Sequence, residues 1–151
     1  MATIQTVIDL CEIPEGSTEL AAEAMLALRP RWGTSSELVD VIDTRLRPAG
    51  YRLVGVFRDG EVSAIAVAGF REVIALAWGC YLYVDDISTL AAERGAGHAD
   101  RLMTWLEKEA QRLGCEGLHL DSGVAEDRAP AHRLYMRHKL RISALHFERV
   151  F

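Results

Sequence analysis

The stretch from Tyr81 to Gly114 constrains the fold more than any other part of the chain. Tyr81-Leu82-Tyr83-Val84-Asp85-Asp86-Ile87-Ser88-Thr89-Leu90 reads as a strand. Leu102, Trp105, Leu106, Ala110 and Leu113 then recur at helical spacing until Gly114 stops the run. Between the two lies Arg94-Gly95-Ala96-Gly97-His98-Ala99, a short basic loop bearing two glycines. The first N–H groups of a helix have no intrahelical partner and carry partial positive charge, so a loop placed here can hold an anion such as a diphosphate. Glycines let the anion approach the backbone, and Arg94 adds a full charge.

Spacing separates the phosphate-binding loops built on this logic. A P-loop requires Gly-Lys-Ser/Thr, whereas Gly97 is followed by His98 and Ala99. A dinucleotide fingerprint requires a small residue where Asp100 stands, and an acid about 20 residues on at the end of the next strand. What remains is R-x-x-G-x-A, carried by Arg94, Gly97 and Ala99. Taken alone, that pattern also fits a tight strand-to-helix turn with an exposed arginine.

A chain of 151 residues that is half hydrophobic is expected to form one domain, residues 1–151, around a core of ordinary size. Its net charge of −5 argues against nonspecific nucleic-acid binding, which needs a basic footprint, and mildly favours a cationic partner. Cys11, Cys80 and Cys115 lack disulfide or zinc-ligand spacing, and His98, His119, His132, His138 and His146 are scattered, so no metal is expected. No basic-then-apolar leader and no apolar run approaching about 18 residues is present. The expectation is a soluble, cytoplasmic protein without a membrane partner.

Taken in order, Thr3 to Leu10 reads as a first strand, ended by Pro14-Glu15-Gly16. Ser17 or Thr18 is placed to cap a helix running to Pro30, and Thr34 with Glu37 forms a capping box for a second helix ending at Pro48. Tyr51 to Arg58 and Glu61 to Phe70 flank Asp59-Gly60, a hairpin turn signal. Arg71 to Ala77 is ambiguous and can extend the sheet. The strand 80–89 and the helix 97–113 follow, then a strand from Gly117 to Leu120, a helix from about Asp127 to His138 and a last strand from Ile142 to Phe151. The order β-α-α-β-β-β-α-β-α-β predicts an α/β (α+β) fold: a mixed, mostly antiparallel sheet of six to seven strands flanked by about four helices.

The loop 94–99 resembles the acyl-CoA loop of the GNAT N-acetyltransferase superfamily, whose pattern is Q/R-x-x-G-x-G/A, and the element order is similar to that superfamily's. A second landmark lies in the last helix, where the superfamily commonly reads N-x-x-A-x-x-x-Y followed by x-x-x-G-F. Ala131 and Tyr135 match; Arg128 replaces the asparagine, and Lys139-Leu140 replace Gly-Phe. Loss of that glycine predicts a helix end without the usual left-handed cap. The resemblance is carried by residues 80–151; the N-terminal half matches in element order alone. It implies an acetyl-CoA-dependent N-acetyltransferase in which the backbone of Ile87, Ser88 and Thr89 pairs with pantetheine and that of Arg94, Gly95, Ala96, Gly97, His98 and Ala99 takes the pyrophosphate. It makes Tyr135 the general acid, where otherwise Tyr135 would be a core residue of its helix. It also makes a homodimer an expectation, helped by the apolar Leu145, Phe147 and Phe151.

Acetyl transfer to an amine needs a neutral nucleophile. An alkylamine of pKa near ~10.4 is neutral about one time in a thousand at pH 7, a deficit of roughly 4 kcal/mol, so something must accept its proton. Asp85 or Asp86, at the strand end leading into the loop, is the candidate base or anchor, and regular pairing would let only one of them face the amine. The segment Tyr83-Val84-Asp85-Asp86 also resembles the Tyr-Leu-Glu-Asp stretch of diamine acetyltransferases, which points to a small cationic amine as acceptor. A protein lysine or N-terminus is the second reading, and a non-catalytic acyl-CoA-binding sensor the third. Cys80 lies about 23 Å before Ile87 along an extended strand, so direct transfer is favoured over a cysteine relay. Trp32, in Arg29-Pro30-Arg31-Trp32-Gly33, either packs under its loop or stacks on the amine.

Overall fold

The computed structural model describes residues 8–151. Five strands, β1 (Ile8–Ile13), β2 (Arg52–Arg58), β3 (Ala66–Ala75), β4 (Gly79–Thr89) and β5 (Gly117–Leu120), form one sheet in the order β1-β2-β3-β4-β5. The first four pair antiparallel, and β5 adds parallel to β4. A parallel addition requires a crossover, which α3 (His98–Arg112) supplies.

The central strands are apolar on both faces, and each face carries helices. Val54, Val56, Ala66, Ala68, Phe70, Leu82 and Val84 pack with Leu102, Met103, Leu106 and Ala110 of α3 and Leu134 of α4 (Ala129–Arg137). On the opposite face Leu53 and Val67 pack with Ala22, Ala24 and Met25 of α1 (Ala22–Leu28) and Leu38 of α2 (Ser35–Val41). The capping box holds: Glu37 N–H donates to Thr34 Oγ1 at 3.2 Å, and Thr34 N–H to Glu37 Oε2 at 3.3 Å. Ser17 and Thr18 do not cap α1; Thr18 Oγ1 instead donates to Asp43 at 2.6 Å.

Four expectations need correction. The first strand is described from Ile8 and runs on to Ile13; Thr3 to Val7 lie outside the described residues. The strand expected from Glu61 starts at Ala66, because Ala64 N–H is bonded to the Leu20 carbonyl at 2.9 Å rather than to β2. Residues 142–151 form no strand, so the sheet has five strands among the described residues rather than six to seven. Their apolar pattern suits a strand, but the segment finds no partner in its own sheet, and Leu145, Phe147 and Phe151 are 75–100% exposed.

The fourth concerns the end of α4. Lys139 adopts φ 64°, and Leu140 N–H donates to the Tyr135 carbonyl at 3.0 Å while Lys139 N–H donates to that of Met136 at 3.0 Å. This pair of bonds is a left-handed helix cap made without glycine. Two satisfied carbonyls and the burial of Leu140 against the α3 side of the core outweigh the crowding of a lysine Cβ, which costs about 1 kcal/mol. Replacing Lys139 with Gly is therefore expected to raise the melting temperature by about 3 °C in a calorimetric scan; an unchanged or lower value would contradict this account of the cap.

Candidate active site

The site begins where β4 loses regular pairing on both sides. Its bonds to β5 end at Val84 opposite Leu120, so residues 85–89 pair only with β3. Within the β3 pairing Phe70 stands opposite Val84 and Gly69 opposite Asp86, which leaves Asp85 as an extra residue. Such a bulge redirects side chains. The condition that only one aspartate can face the site therefore fails, and both Asp85 and Asp86 line one cavity with Arg29, Asp121, Arg128 and Tyr135. The cavity encloses about 100 Å³. A liquid water occupies about 30 Å³, so there is room for a group of a few heavy atoms.

Both carboxylates are held by cations. Asp85 takes two bonds from Arg71, at 2.8 and 2.9 Å. Asp86 accepts from Arg29 Nε at 2.8 Å through Oδ1 and from the Tyr51 hydroxyl at 2.7 Å through Oδ2. Arg29 Nη2 also donates to the Asp85 carbonyl, which the bulge has turned away from the ladder. A carboxylate offers about four acceptor positions, so each aspartate retains room for a further donor.

Tyr51 is not legible as a site residue in the sequence, and Arg29 only as one member of the segment 29–33. Tyr51 is buried, and burial together with the Asp86 charge holds its phenol well above the ordinary value, so it is a fixed donor. A Cβ at Gly69 would come within 1.7 Å of the Tyr51 hydroxyl, so the missing side chain there is what lets the ring reach Asp86. A glycine inside a strand was the available signal.

Tyr135 lies on α4, half-buried, and burial pushes its phenol above the ordinary value despite the opposing Arg128 and Arg29 charges. It is protonated at neutral pH. Asp121 is also in the cavity wall, whereas His119 is turned into a cluster with Trp78 and Tyr81 at 4.6 and 4.7 Å. Trp32 does not line the cavity: it is 36% exposed, with the Arg31 guanidinium 5.4 Å from its ring.

The loop 94–99 opens at the start of α3. Gly95 and Gly97 both have φ 82°, and nothing lies within 4 Å of the position a Cβ would take at either. Gly97 is the helix N-cap without a side-chain cap bond. Among the described residues, Arg94 N–H bonds the Ala91 carbonyl at 3.5 Å, and the next N–H of this stretch to find a backbone carbonyl is that of Arg101, bonded to Gly97 at 3.1 Å. The N–H groups of residues 95–100 have no backbone carbonyl partner among the described residues. Arg94 is exposed and touches the Thr89 carbonyl at 3.4 Å, while Arg58 holds Glu93 in an ion pair that anchors the approach to the loop. Ile87 and Thr89 are half-buried, and Ser88 is buried with its hydroxyl donating to the Ala24 carbonyl of α1 at 2.8 Å. These features fit a phosphate-bearing coenzyme laid along the unpaired edge of β4.

His98 faces inward. Its Nδ1 lies 2.9 Å from Arg101 Nη1, which can only donate, so the proton is on Nε2, a buried atom without a hydrogen-bond partner. Burial and the Arg101 charge lower its pKa. The folded state thus binds fewer protons than the unfolded chain once the pH falls below about 6.5, and stability declines there.

The acetyltransferase (GNAT) family model matches residues 17–139. No curated protein sequence matches. Among solved structures, a Trypanosoma brucei acetyltransferase is 20% identical, with a TM-score of 0.77 over 96% of this chain and 100% of that one. An aminoglycoside N-acetyltransferase in complex with CoA is 14% identical, with a TM-score of 0.77 over 99% of each chain. A ribosomal-protein-alanine N-acetyltransferase from Brucella melitensis biovar Abortus 2308 is 16% identical, with a TM-score of 0.78 over 96% and 100%.

Two outcomes are expected from this geometry. Tyr51→Phe should lower the unfolding free energy by about 1.5–3 kcal/mol in urea melts, since the lost bond ends on a carboxylate; a change within about 0.5 kcal/mol would contradict the role given to Tyr51. His98→Gln should lessen the loss of stability between about pH 6.5 and 5 relative to the parent chain. Parallel pH curves for the two proteins would show that His98 does not titrate abnormally.

Proposed function

Since the chain belongs to the GNAT acetyltransferase family, whose members use acetyl-CoA, we propose that it is an N-acetyltransferase acting by direct transfer on a small cationic amine. The observation that carries this reading is the convergence of three carboxylates and one protonated phenol on a cavity beside the unpaired edge of β4. Acetyl-CoA supplies the activated acetyl group. The amides of residues 95–99 and the guanidinium of Arg94 take its diphosphate, and the backbone of Ile87, Ser88 and Thr89 aligns its pantetheine arm.

Asp85 and Asp86 serve as anchor or base for the acceptor. Their remaining lone pairs can hold an ammonium or a water, and Asp121 adds a carboxylate paired with the Tyr83 hydroxyl. Tyr135 holds a proton on its hydroxyl for the departing thiolate, and the charges of Arg29 and Arg128 favour the phenolate left behind. Cys80 is absent from the cavity wall, which supports transfer without a cysteine relay. Among the described residues, no helix is long and apolar enough to cross a membrane, and a cytoplasmic setting accords with three free cysteines. A homodimer is also proposed, supported by the exposed apolar segment 142–151 and by the outer edge of β5, which has no strand partner among the described residues.

Thiol release from acetyl-CoA against amines of graded size and charge tests the reading, with turnover expected for small polycations. Turnover with peptides alone would contradict the acceptor class, and no thiol release with any amine would favour a sensor. Tyr135→Phe is expected to lower kcat by about 100-fold or more with CoA affinity kept; equal turnover would remove the acid role.

A further inference from the structure

The two cysteines with no visible pairing in the sequence meet in the fold. Cys80 is the second residue of β4, and Cys115 lies in the turn between α3 and β5. Their Sγ atoms are 3.6 Å apart, and Cys80 Sγ is 3.4 Å from Oε1 of Glu72 on β3. One atom from each of the three residues lies within 4.8 Å of the other two. Backbone bonds fix the arrangement: Glu116 N–H donates to the Cys80 carbonyl at 2.8 Å and Cys115 N–H to that of Ala110 at 2.9 Å. The separation is far longer than a disulfide bond of about 2.05 Å.

These distances are those of ligands sharing one ion. Zinc takes thiolate sulfur at about 2.3 Å and carboxylate oxygen at about 2.0–2.2 Å, so the edges of a tetrahedral site are about 3.8 Å for S···S and about 3.5 Å for S···O. On the two edges that meet at Cys80, the observed 3.6 and 3.4 Å need shifts of a few tenths of an ångström, and the third edge, between Cys115 and Glu72, lies within 4.8 Å and closes by rotation of the exposed Glu72 side chain. We propose that Cys80, Cys115 and Glu72 form a binding site for one borderline-soft divalent cation, zinc by its ligand set, with the fourth position open to water. Both cysteines are half-buried and Glu72 is exposed, so the ion can enter from solvent.

The site lies apart from the cavity. Cys80 precedes Asp85 by five residues, about 16 Å along a strand, and none of the three ligands lines the cavity. A bound ion would join β3, β4 and the α3–β5 turn at the end of the sheet remote from the bulge. It therefore needs no part in acetyl transfer.

The test uses the full chain, stripped with a chelator and kept under a phosphine reductant, titrated with Co²⁺ and then with Zn²⁺. One equivalent of Co²⁺ per chain with a thiolate-to-cobalt charge-transfer band, displaced by Zn²⁺, is expected. Cys80→Ser and Cys115→Ser should each weaken binding by about 100-fold and Glu72→Gln by about 10-fold. Absence of the charge-transfer band in the parent chain would overturn the proposal whether or not the variants fold. So would zinc bound equally well by the double variant Cys80→Ser/Cys115→Ser, which would place the ion elsewhere.

Discussion

Between Val84 and Asp86 a single strand loses one of its two partners and slips in register with the other, and the rest of the site takes its form from that change. Up to Val84, β4 is bonded on both sides; beyond it the ladder to β5 is gone and Asp85 falls out of register with β3. Backbone groups left without a partner near a core must find one, and here they face a ligand-sized gap instead of another strand. The same strand then leads through Leu90 into the loop before α3. Edge, loop and helix mouth thus follow one another along residues 85–100, and the N–H groups of residues 95–100 have no backbone partner among the described residues. A coenzyme can be held by such a run with few side chains specified, which is why the sequence pattern that marks it is only six residues long.

The bulge is stabilised by charge as well as by packing. Arg29, at the end of α1, bonds both the Asp86 carboxylate and the Asp85 carbonyl, and Arg71 closes on Asp85 from the neighbouring strand. Tyr51 reaches Asp86 through the space that Gly69 leaves. The Ser88 hydroxyl, which donates to the Ala24 carbonyl at 2.8 Å, ties α1 to β4 at a further point. Carboxylates compensated in this way can be ionised in a half-buried wall without the cost of an unpaired charge.

What could be read from the sequence was whatever depends on local pattern. The amphipathic run of α3, the Thr34 and Glu37 cap, the strand 117–120 and the loop glycines all follow from periodicity or turn chemistry within a few residues, and they stand in the fold close to where they were expected. What could not be read depends on distant partners. Tyr51 and Arg29 are separated from Asp86 by 35 and 57 residues, and neither has a motif. Residues 142–151 have the alternation of a strand but no strand beside them, since periodicity specifies a face and not a neighbour. Lys139 shows the opposite limit: a cap predicted lost because lysine stands where the resemblance has glycine forms because the bonds from Lys139 and Leu140 to the last turn outweigh a local preference.

The central claim is that the coenzyme is held by main-chain amides between the bulge and the first turn of α3. A titration of ¹⁵N-labelled protein with CoA measures those amides one by one. The account predicts that the largest chemical-shift changes fall on residues 87–89 and 95–100. Changes confined to other parts of the chain, with residues 95–100 unmoved at saturation, would contradict it.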